Sequence, residues 1–463
     1  MKDDQKITGK EAALKIDEKI KEKNTKSGEK EREEVQKLKL GLRKMRKKEA
    51  DHKEEDHKEE DHKEEDHKEE DHKEADHKEE DHKEIMKADL EYMKMALELA
   101  KRGCGYTAPN PMVGAVIVKE GRVIGQGWHE KYGDLHAERN ALKSCKEDTE
   151  GATMYVTLEP CCHYGKQPPC VNAILDAKIR RVVVGSDDPN PLVNGKGIRI
   201  LQEHGVEVIR HVLEEECDRL NEVFFHFVHT KRPFVVMKYA MTMDGKIATF
   251  SGASKWITGS TARNYVAWQR HRYSAIMVGV GTILADDPML TCRIEGGKNP
   301  IRIICDSTLR TPLTANVVTT AKDTLTVLAT CCMDQKRYLS YEEMGCQILC
   351  VKEKSGHVDL QDLMEKLGEK QIDSILLEGG AMLNWSAISA GIVQKVQTYI
   401  APKLFGGENA KTPIEGAGVS LPAEAFVLKR SKIERLGEDL MIESEVDMDV
   451  YGNRGRSRNS EAH

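Results

Sequence analysis

The hydrophobic and polar positions divide the chain at about residue 85. From Asp51 the sequence repeats Asp-His-Lys-Glu-Glu with a period of five. Seven copies start at Asp51, Asp56, Asp61, Asp66, Asp71, Asp76 and Asp81, the fifth ending in Ala75 and the last in Ile85. Five residues advance about 500° on an α-helix, roughly 140° per repeat, so no side-chain type keeps one face and no apolar stripe forms. The pattern predicts a charged spacer, disordered or loosely helical, with a weak His/carboxylate sink for divalent metal as the alternative. Ahead of it, Val35, Leu38, Leu42 and Met45 recur at helical spacing beside Arg43, Lys44, Arg46, Lys47 and Lys48. That is either a solvated helix or a short basic amphipathic segment.

Beyond residue 85 the periodicity becomes that of folded protein. Leu90, Met93, Leu97 and Ala100 predict a helix that Gly103 stops. Strands follow at 112–118 and 123–127, a helix at 137–145, a strand at 154–158, a helix at 171–178 and a strand at 181–185. A helix at 197–204 and a short strand at 206–209 complete an α/β layer domain. After a helical stretch ending near His226, Pro233 opens a second α/β series. Its strands are predicted at 234–239, 275–279, 301–305, 325–328, 347–351 and 374–377, and its helices at 261–271, 360–367 and 382–388. The pattern predicts no strand after residue 377. The expected organisation is a charged tail over 1–85, domains over 86–230 and 231–450, and a flexible C-terminus over 451–463.

Composition sharpens this division. Residues 1–85 hold 24 Lys and Arg against 30 Asp and Glu, a net charge of −6 out of −7 for the whole chain. The remaining 378 residues carry −1 and all 12 Cys, 4 Trp and 7 Phe. The tail lacks the apolar content to bury a core. The body exceeds the size at which single cores stop growing. Its near-neutral charge gives no global case for a nucleic-acid partner. No apolar run reaches the roughly 18 residues of a membrane span, and the N-terminus has no apolar segment of a secretory signal. Reduced thiols and a cytoplasmic location are the expectation. Met86 follows the last repeat directly, so a product beginning there would carry all the chemistry.

Two fragments of the first domain carry chemistry. One is His136-Ala137-Glu138; the other is Pro160-Cys161, eight residues, then Cys170. One imidazole and two thiolates leave a tetrahedral zinc with an open position, as a catalytic site needs. Water held there would be acidic enough to supply hydroxide at neutral pH. Glu138, two residues from the His, could move its proton to departing ammonia. This ordered set is the signature of zinc deaminases of bases and nucleosides, except that the loop between the two Cys is long. Cys162 and His163 compete for the metal, and a purely structural zinc site is the bland alternative.

In the second domain no Gly-x-Gly-x-x-Gly follows a strand, so the usual dinucleotide fingerprint is absent. Glu378-Gly379-Gly380 sits between an apolar strand and a helix, where small residues let a phosphate approach the helix N-terminus. A tight turn explains it equally. Gly279-Val280-Gly281-Thr282 with Ala285–Pro288 is a similar strand-to-loop site. Lys238, Thr242, Asp244 and Lys246 cluster at a strand end, as a ligand site or as a solvated turn.

These stretches together resemble the bifunctional riboflavin-biosynthesis deaminase/reductase family. The resemblance rests on Pro109–Val118, His136-Ala137-Glu138, Thr157–Cys170 with its long inter-Cys loop, Asp188-Pro189-Asn190-Pro191 and Gly195-Lys196-Gly197. In the second domain it rests on Lys238–Lys246, Ser251–Thr258, Ala285–Arg293, Asp306-Ser307, Glu378–Gly380 and Ala401–Leu404. It covers about residues 88–450 and implies a cytidine-deaminase-like domain followed by a dihydrofolate-reductase-like domain. One zinc per chain would be held by His136, Cys161 and Cys170, with Glu138 catalytic and Asn110 at the substrate pocket. NADPH would contact Ala240, Trp256, Thr282, Asp286, Ser307 and the turn formed by Gly380, Ala381, Met382, Leu383, Asn384, Trp385 and Ser386. Substrate would contact Lys238, Ser254, Arg270, Leu290, Arg293 and Glu378; a guanidinium fork such as that of Arg270 or Arg293 suits a sugar phosphate.

The implied reactions are hydrolytic deamination of 2,5-diamino-6-(5-phosphoribosylamino)pyrimidin-4(3H)-one and NADPH-dependent reduction of the ribosyl group of 5-amino-6-(5-phosphoribosylamino)uracil. The partner is then a small molecule, with no nucleic acid and no membrane, and a homo-oligomer is compatible. The rivals are a nucleoside or tRNA deaminase with an unrelated second domain, and an inactive zinc-stabilised binding module.

Overall fold

The computed structural model describes residues 35–41, 43–44, 85–165 and 167–447. The chain divides into two compact units, 1–85 and 86–463. In the first unit the described residues 35–41 and 43–44 are helical, as the spacing of Val35 and Leu38 predicts. The Asp-His-Lys-Glu-Glu repeats, Leu42, Met45 and residues 451–463 lie outside the described residues.

The second unit holds two separate large sheets. The first comprises β1 (Gly114–Lys119), β2 (Arg122–Trp128), β3 (Thr153–Leu158), β4 (Arg181–Ser186) and β5 (Glu207–Ile209), in the order β2-β1-β3-β4-β5. β1 is antiparallel to β2 and β3, whereas β3, β4 and β5 run parallel. Alternate residues of β1, β3 and β4 face opposite sides. Ile117, Met154, Val156 and Val182 pack with α2 (Ala137–Ser144), α3 (Cys170–Asp176) and α4 (Lys196–Glu203). Val116, Val118, Tyr155 and Val183 pack with α1 (residues 85–100) and α5 (Glu214–Leu220). With both faces covered, the strands read as continuous apolar runs. Asp89 pins α1 to the sheet. It accepts a bidentate pair from Arg181 at 2.8 and 2.7 Å and the Tyr155 hydroxyl at 2.8 Å.

After α6 (Glu222–Thr230) the chain enters the second sheet. Its nine strands lie in the order β10-β9-β8-β7-β13-β6-β14-β16-β15. The first seven are parallel: β10 (Gln347–Cys350), β9 (Thr326–Thr330), β8 (Ile301–Cys305), β7 (Ala275–Gly279), β13 (Ser374–Leu377), β6 (Phe234–Thr242) and β14 (Lys395–Ala401). β16 (Asp439–Val446) and β15 (Leu428–Leu436) add antiparallel pairs at one edge. β11 (Glu353–Lys354) and β12 (His357–Val358) form a separate hairpin. α7 (Ser260–Arg272), α8 (Val280–Asp286), α9 (Asn316–Thr319), α10 (Leu339–Glu343), α11 (Leu360–Glu369) and α12 (Ala381–Ser389) complete the fold.

Five strands were not predicted: the two-residue strands β11 and β12, and β14, β15 and β16, where charge is the reason. In β14, Lys395 and Gln397 are buried but satisfied. Lys395 pairs with Glu222 at 2.6 Å and Glu443 at 3.4 Å, and Gln397 donates to Glu443 at 2.8 Å. β15, with two Lys, two Arg and a Glu, is exposed along eight of its nine residues and shows no alternation. Among the described residues no helix is long and apolar enough to cross a membrane.

Candidate functional site

The first site forms where β3 ends and two helices begin. His136 is the extended residue that opens α2, which puts Glu138 in the helix's first turn. Cys161 lies three residues past β3, and Cys170 begins α3 after Pro169. The loop between them closes on itself: Val171 N–H donates to the Cys161 carbonyl at 3.2 Å, and Cys170 N–H donates to Cys161 Sγ at 3.3 Å.

His136 Nδ1 lies 3.4 Å from each sulfur, and all three donor atoms fall within 4.8 Å of one another. Tetrahedral zinc at ordinary Zn–N and Zn–S lengths needs donors about 3.3–3.8 Å apart. The set fits such an ion. Cys162 and His163 do not join it; the Cys162 thiol points instead to the Leu192 carbonyl at 3.6 Å.

These donors open into a cavity of about 240 Å³ that Asn110, Glu138 and Cys161 line. Glu138 is buried, and burial pushes its carboxyl above the usual range. Asn110 Nδ2 lies 3.2 Å from His129 Nε2, and His129 Nδ1 lies 3.0 Å from the Leu135 carbonyl. Because a carbonyl only accepts, Nδ1 carries the proton and Nε2 accepts from Asn110, which fixes the amide's orientation. Burial lowers the His129 pKa and keeps the ring neutral.

The sequence reading did not select His129, Asp188, Asn190 or Phe224 as site residues, yet all four line the cavity. Burial pushes the Asp188 carboxyl up to about 6. The Asp188–Pro191 motif was the available signal for two of them; Phe224 had none, since it comes from α6 far along the chain. Glu159 is an anchor: its carboxylate accepts from the N–H groups of Gly195 at 2.8 Å, Gly197 at 3.0 Å and Ile198 at 3.3 Å, at the start of α4.

The second site lies at the C-terminal ends of parallel strands, where α/β sheets gather ligands. Glu378, just past β13, accepts from Arg270 Nε at 2.6 Å and Nη2 at 3.0 Å, and from Lys238 Nζ at 3.5 Å. Burial acts to raise its pKa, but Arg270 and Lys238 outweigh it and hold it at about 2. The turns after β7 and β13 lie side by side: a Cβ on Gly380 would sit 3.7 Å from Thr282 Oγ1.

Several expected contacts look different in the structure. The Arg270 fork is already taken by Glu378, and its Nη1 donates to the Thr291 carbonyl at 3.1 Å, so it is not an open phosphate clamp. Arg293 is exposed. The Leu290 side chain is buried with Ile276, Ile304 and Leu328, leaving its backbone for any ligand. Asn384 is buried and donates to the Pro413 carbonyl at 2.9 Å, Trp385 packs edge-on against Phe426, and Ser386 bonds the Met382 carbonyl within α12. Gly380, Ala381, Met382 and Leu383 form the helix start. Ser307 Oγ accepts from Val358 N–H at 3.1 Å. Trp256 is exposed with the Arg263 guanidinium 4.7 Å from its ring centre. Ala240 and Ser254 are half-buried and Asp286 is exposed. Thr242, Asp244 and Lys246 anchor their own turn, Asp244 accepting from Gly406 N–H at 2.7 Å.

Two family models cover the body. The cytidine and deoxycytidylate deaminase zinc-binding region matches residues 86–186, and the RibD C-terminal domain matches residues 233–442. Fold and sites therefore define a two-domain enzyme, a zinc-type deaminase joined to a reductase. The riboflavin biosynthesis protein RibD of Actinobacillus pleuropneumoniae is 56% identical over 355 residues, 77% of this chain and 94% of that protein. RibD of Escherichia coli is 38% identical over 367 residues, covering 76% and 98%.

Among solved structures, Acinetobacter baumannii RibD superposes with a TM-score of 0.71 at 37% identity, covering 78% of this chain and 99% of that one. The Thermotoga maritima diaminohydroxyphosphoribosylaminopyrimidine deaminase/5-amino-6-(5-phosphoribosylamino)uracil reductase gives 0.70 at 37% identity, covering 78% and 100%. The chain belongs to the RibD family, the bifunctional deaminase and reductase of riboflavin biosynthesis. An unrelated second domain is thereby set aside.

Proposed function

We propose that residues 86–230 hydrolyse the 2-amino group of 2,5-diamino-6-(5-phosphoribosylamino)pyrimidin-4(3H)-one and that residues 231–450 reduce the ribosyl group of the deaminated product with NADPH. The convergence of His136, Cys161 and Cys170 beside a buried Glu138, in one cavity, carries this reading. Zinc held by those three residues supplies Lewis acidity that makes water nucleophilic at neutral pH. Glu138 takes a proton from water on a carboxylate oxygen and returns it to the leaving amino nitrogen, so ammonia departs neutral. Asn110, held by His129, orients the pyrimidine within the cavity.

In the reductase, NADPH supplies the hydride. The backbone at Gly279–Thr282 and Gly380–Leu383 offers N–H groups to its phosphates. The Glu378–Arg270–Lys238 cluster positions the ribose, and Arg293 is the guanidinium free for the substrate phosphate. A single cuvette tests the scheme: ammonia release from the diaminopyrimidine phosphate is followed beside NADPH oxidation. Glu138→Gln should cut ammonia release by about 10²–10⁴-fold and leave reduction of the deaminated compound intact. Full deaminase activity in that variant would falsify the assignment.

A further inference from the structure

The segment joining α1 to β1 carries Asn110 into the deaminase cavity, but its middle reaches the reductase domain. Tyr106 donates its hydroxyl to the Gly296 carbonyl at 2.6 Å. Its ring meets His271 edge-on, with centres 5.0 Å apart. His271 in turn accepts from Lys298 N–H at 3.0 Å through Nδ1. An accepting Nδ1 is unprotonated, so the proton sits on Nε2, on the side that faces the Cys104 backbone. Gly105 is compressed against the same ring: with φ +78°, a Cβ there would lie 2.5 Å from His271 Cε1.

Both reductase contacts, Gly296 and Lys298, belong to one loop. That loop runs on from Leu290 through Thr291, whose carbonyl accepts from Arg270, and Arg293. It is closed at its base by Cys292 N–H donating to Asn299 Oδ1 at 3.1 Å. His271 directly follows Arg270 on α7, so one helix turn addresses the Glu378 cluster with one residue and the deaminase domain with the next. Loop 290–299 has no strand or helix of its own; at its far side it is held by Tyr106 from the deaminase domain and by His271 of its own domain, whose ring meets Tyr106.

We propose that Tyr106 and His271 are positioning residues for the reductase, a strut by which the deaminase domain holds loop 290–299 in the shape that receives the substrate phosphate. The idea rests on the reading of Arg293 above as the phosphate ligand. Neither side chain touches the reacting atoms, so the strut acts on substrate affinity and not on hydride transfer.

The test uses the full-length enzyme with 5-amino-6-(5-phosphoribosylamino)uracil and NADPH. Tyr106→Phe keeps the ring and removes the hydroxyl; it should raise reductase KM for the pyrimidine about three- to tenfold, the worth of one hydrogen bond. Reductase kcat and deaminase kcat/KM should stay at the parent values. His271→Leu should act in the same direction. His271→Asn, whose side-chain oxygen can still accept from Lys298 N–H, should recover most of the loss.

Unchanged reductase KM in both Tyr106→Phe and His271→Leu would overturn the strut. So would a parallel fall of both activities, which is what a merely structural role predicts. Arg293→Ala separates this from the underlying reading. If it leaves KM unchanged while Tyr106→Phe raises it, Tyr106 still positions loop 290–299 for substrate, and only the assignment of the phosphate to Arg293 fails. If it raises KM while Tyr106→Phe does not, the assignment stands and the strut fails.

Discussion

The two sites of this chain are built on opposite plans. The deaminase site draws the donors that would hold zinc from three positions within 35 residues, and they meet within 4.8 Å. The proposed reductase site is assembled from β6, β7, β8 and β13 and the turns that follow them, with Lys238 and Glu378 140 positions apart. A metal ion demands a few atoms at fixed spacing, so its site condenses into short motifs. A dinucleotide and a sugar phosphate are bound by backbone turns and dispersed charges, so their site is spread through a sheet edge.

If the plans differ in this way, damage to them should differ too. The largest effect is expected for Glu138→Gln, a loss of about 10²–10⁴-fold in deamination from one removed proton carrier. Cys170→Ala should drop zinc from about one per chain to near none, measured by metal analysis after gel filtration. Wild-type stoichiometry in that variant would put the donor set in error.

Glu378→Gln should act on stability as well as on reduction. It leaves Arg270 and Lys238 buried without their counter-charge, at a cost of about 3–5 kcal/mol in urea unfolding. The folded pKa of Glu378, about 2, lies below the unfolded value of about 4.3. Its contribution, on the order of 3 kcal/mol, is therefore present above pH 4.3 and drains away as pH falls toward 2. The variant should lack that part of the acid dependence; an unchanged slope would show that the pair is not coupled to folding. The smallest effect is expected for Asn384→Ala, about 1–2 kcal/mol from the lost bond to Pro413, with KM for NADPH unchanged. A raised KM there would return Asn384 to the cofactor site.

The same contrast explains what the sequence revealed. Runs such as Ala115–Val118 and Val182–Val184 are buried on both faces, so their strands were legible from apolar content alone. Lys395 and Gln397 of β14 look solvated and are not, because Glu222 and Glu443 wait for them. Nothing local announces such long-range pairing. His136, Glu138, Cys161 and Cys170 were legible because the chemistry dictates residue type. The reductase residues came through family resemblance, which names positions without saying which way a side chain points. Trp385 and Asn384 turn into the fold, and the Arg270 fork meets Glu378, for reasons of packing and charge that only the assembled sheet supplies.

Glu159 carries a consequence for how the metal centre comes into being. All three donors have been synthesised by residue 170, yet the carboxylate that anchors the residue two before Cys161 bonds to Gly195, Gly197 and Ile198. A growing chain that stops short of α4 contains every ligand and lacks the clamp. Closure of that anchor therefore waits on the start of α4, and a chain ending before it would carry the three side chains on an untethered loop.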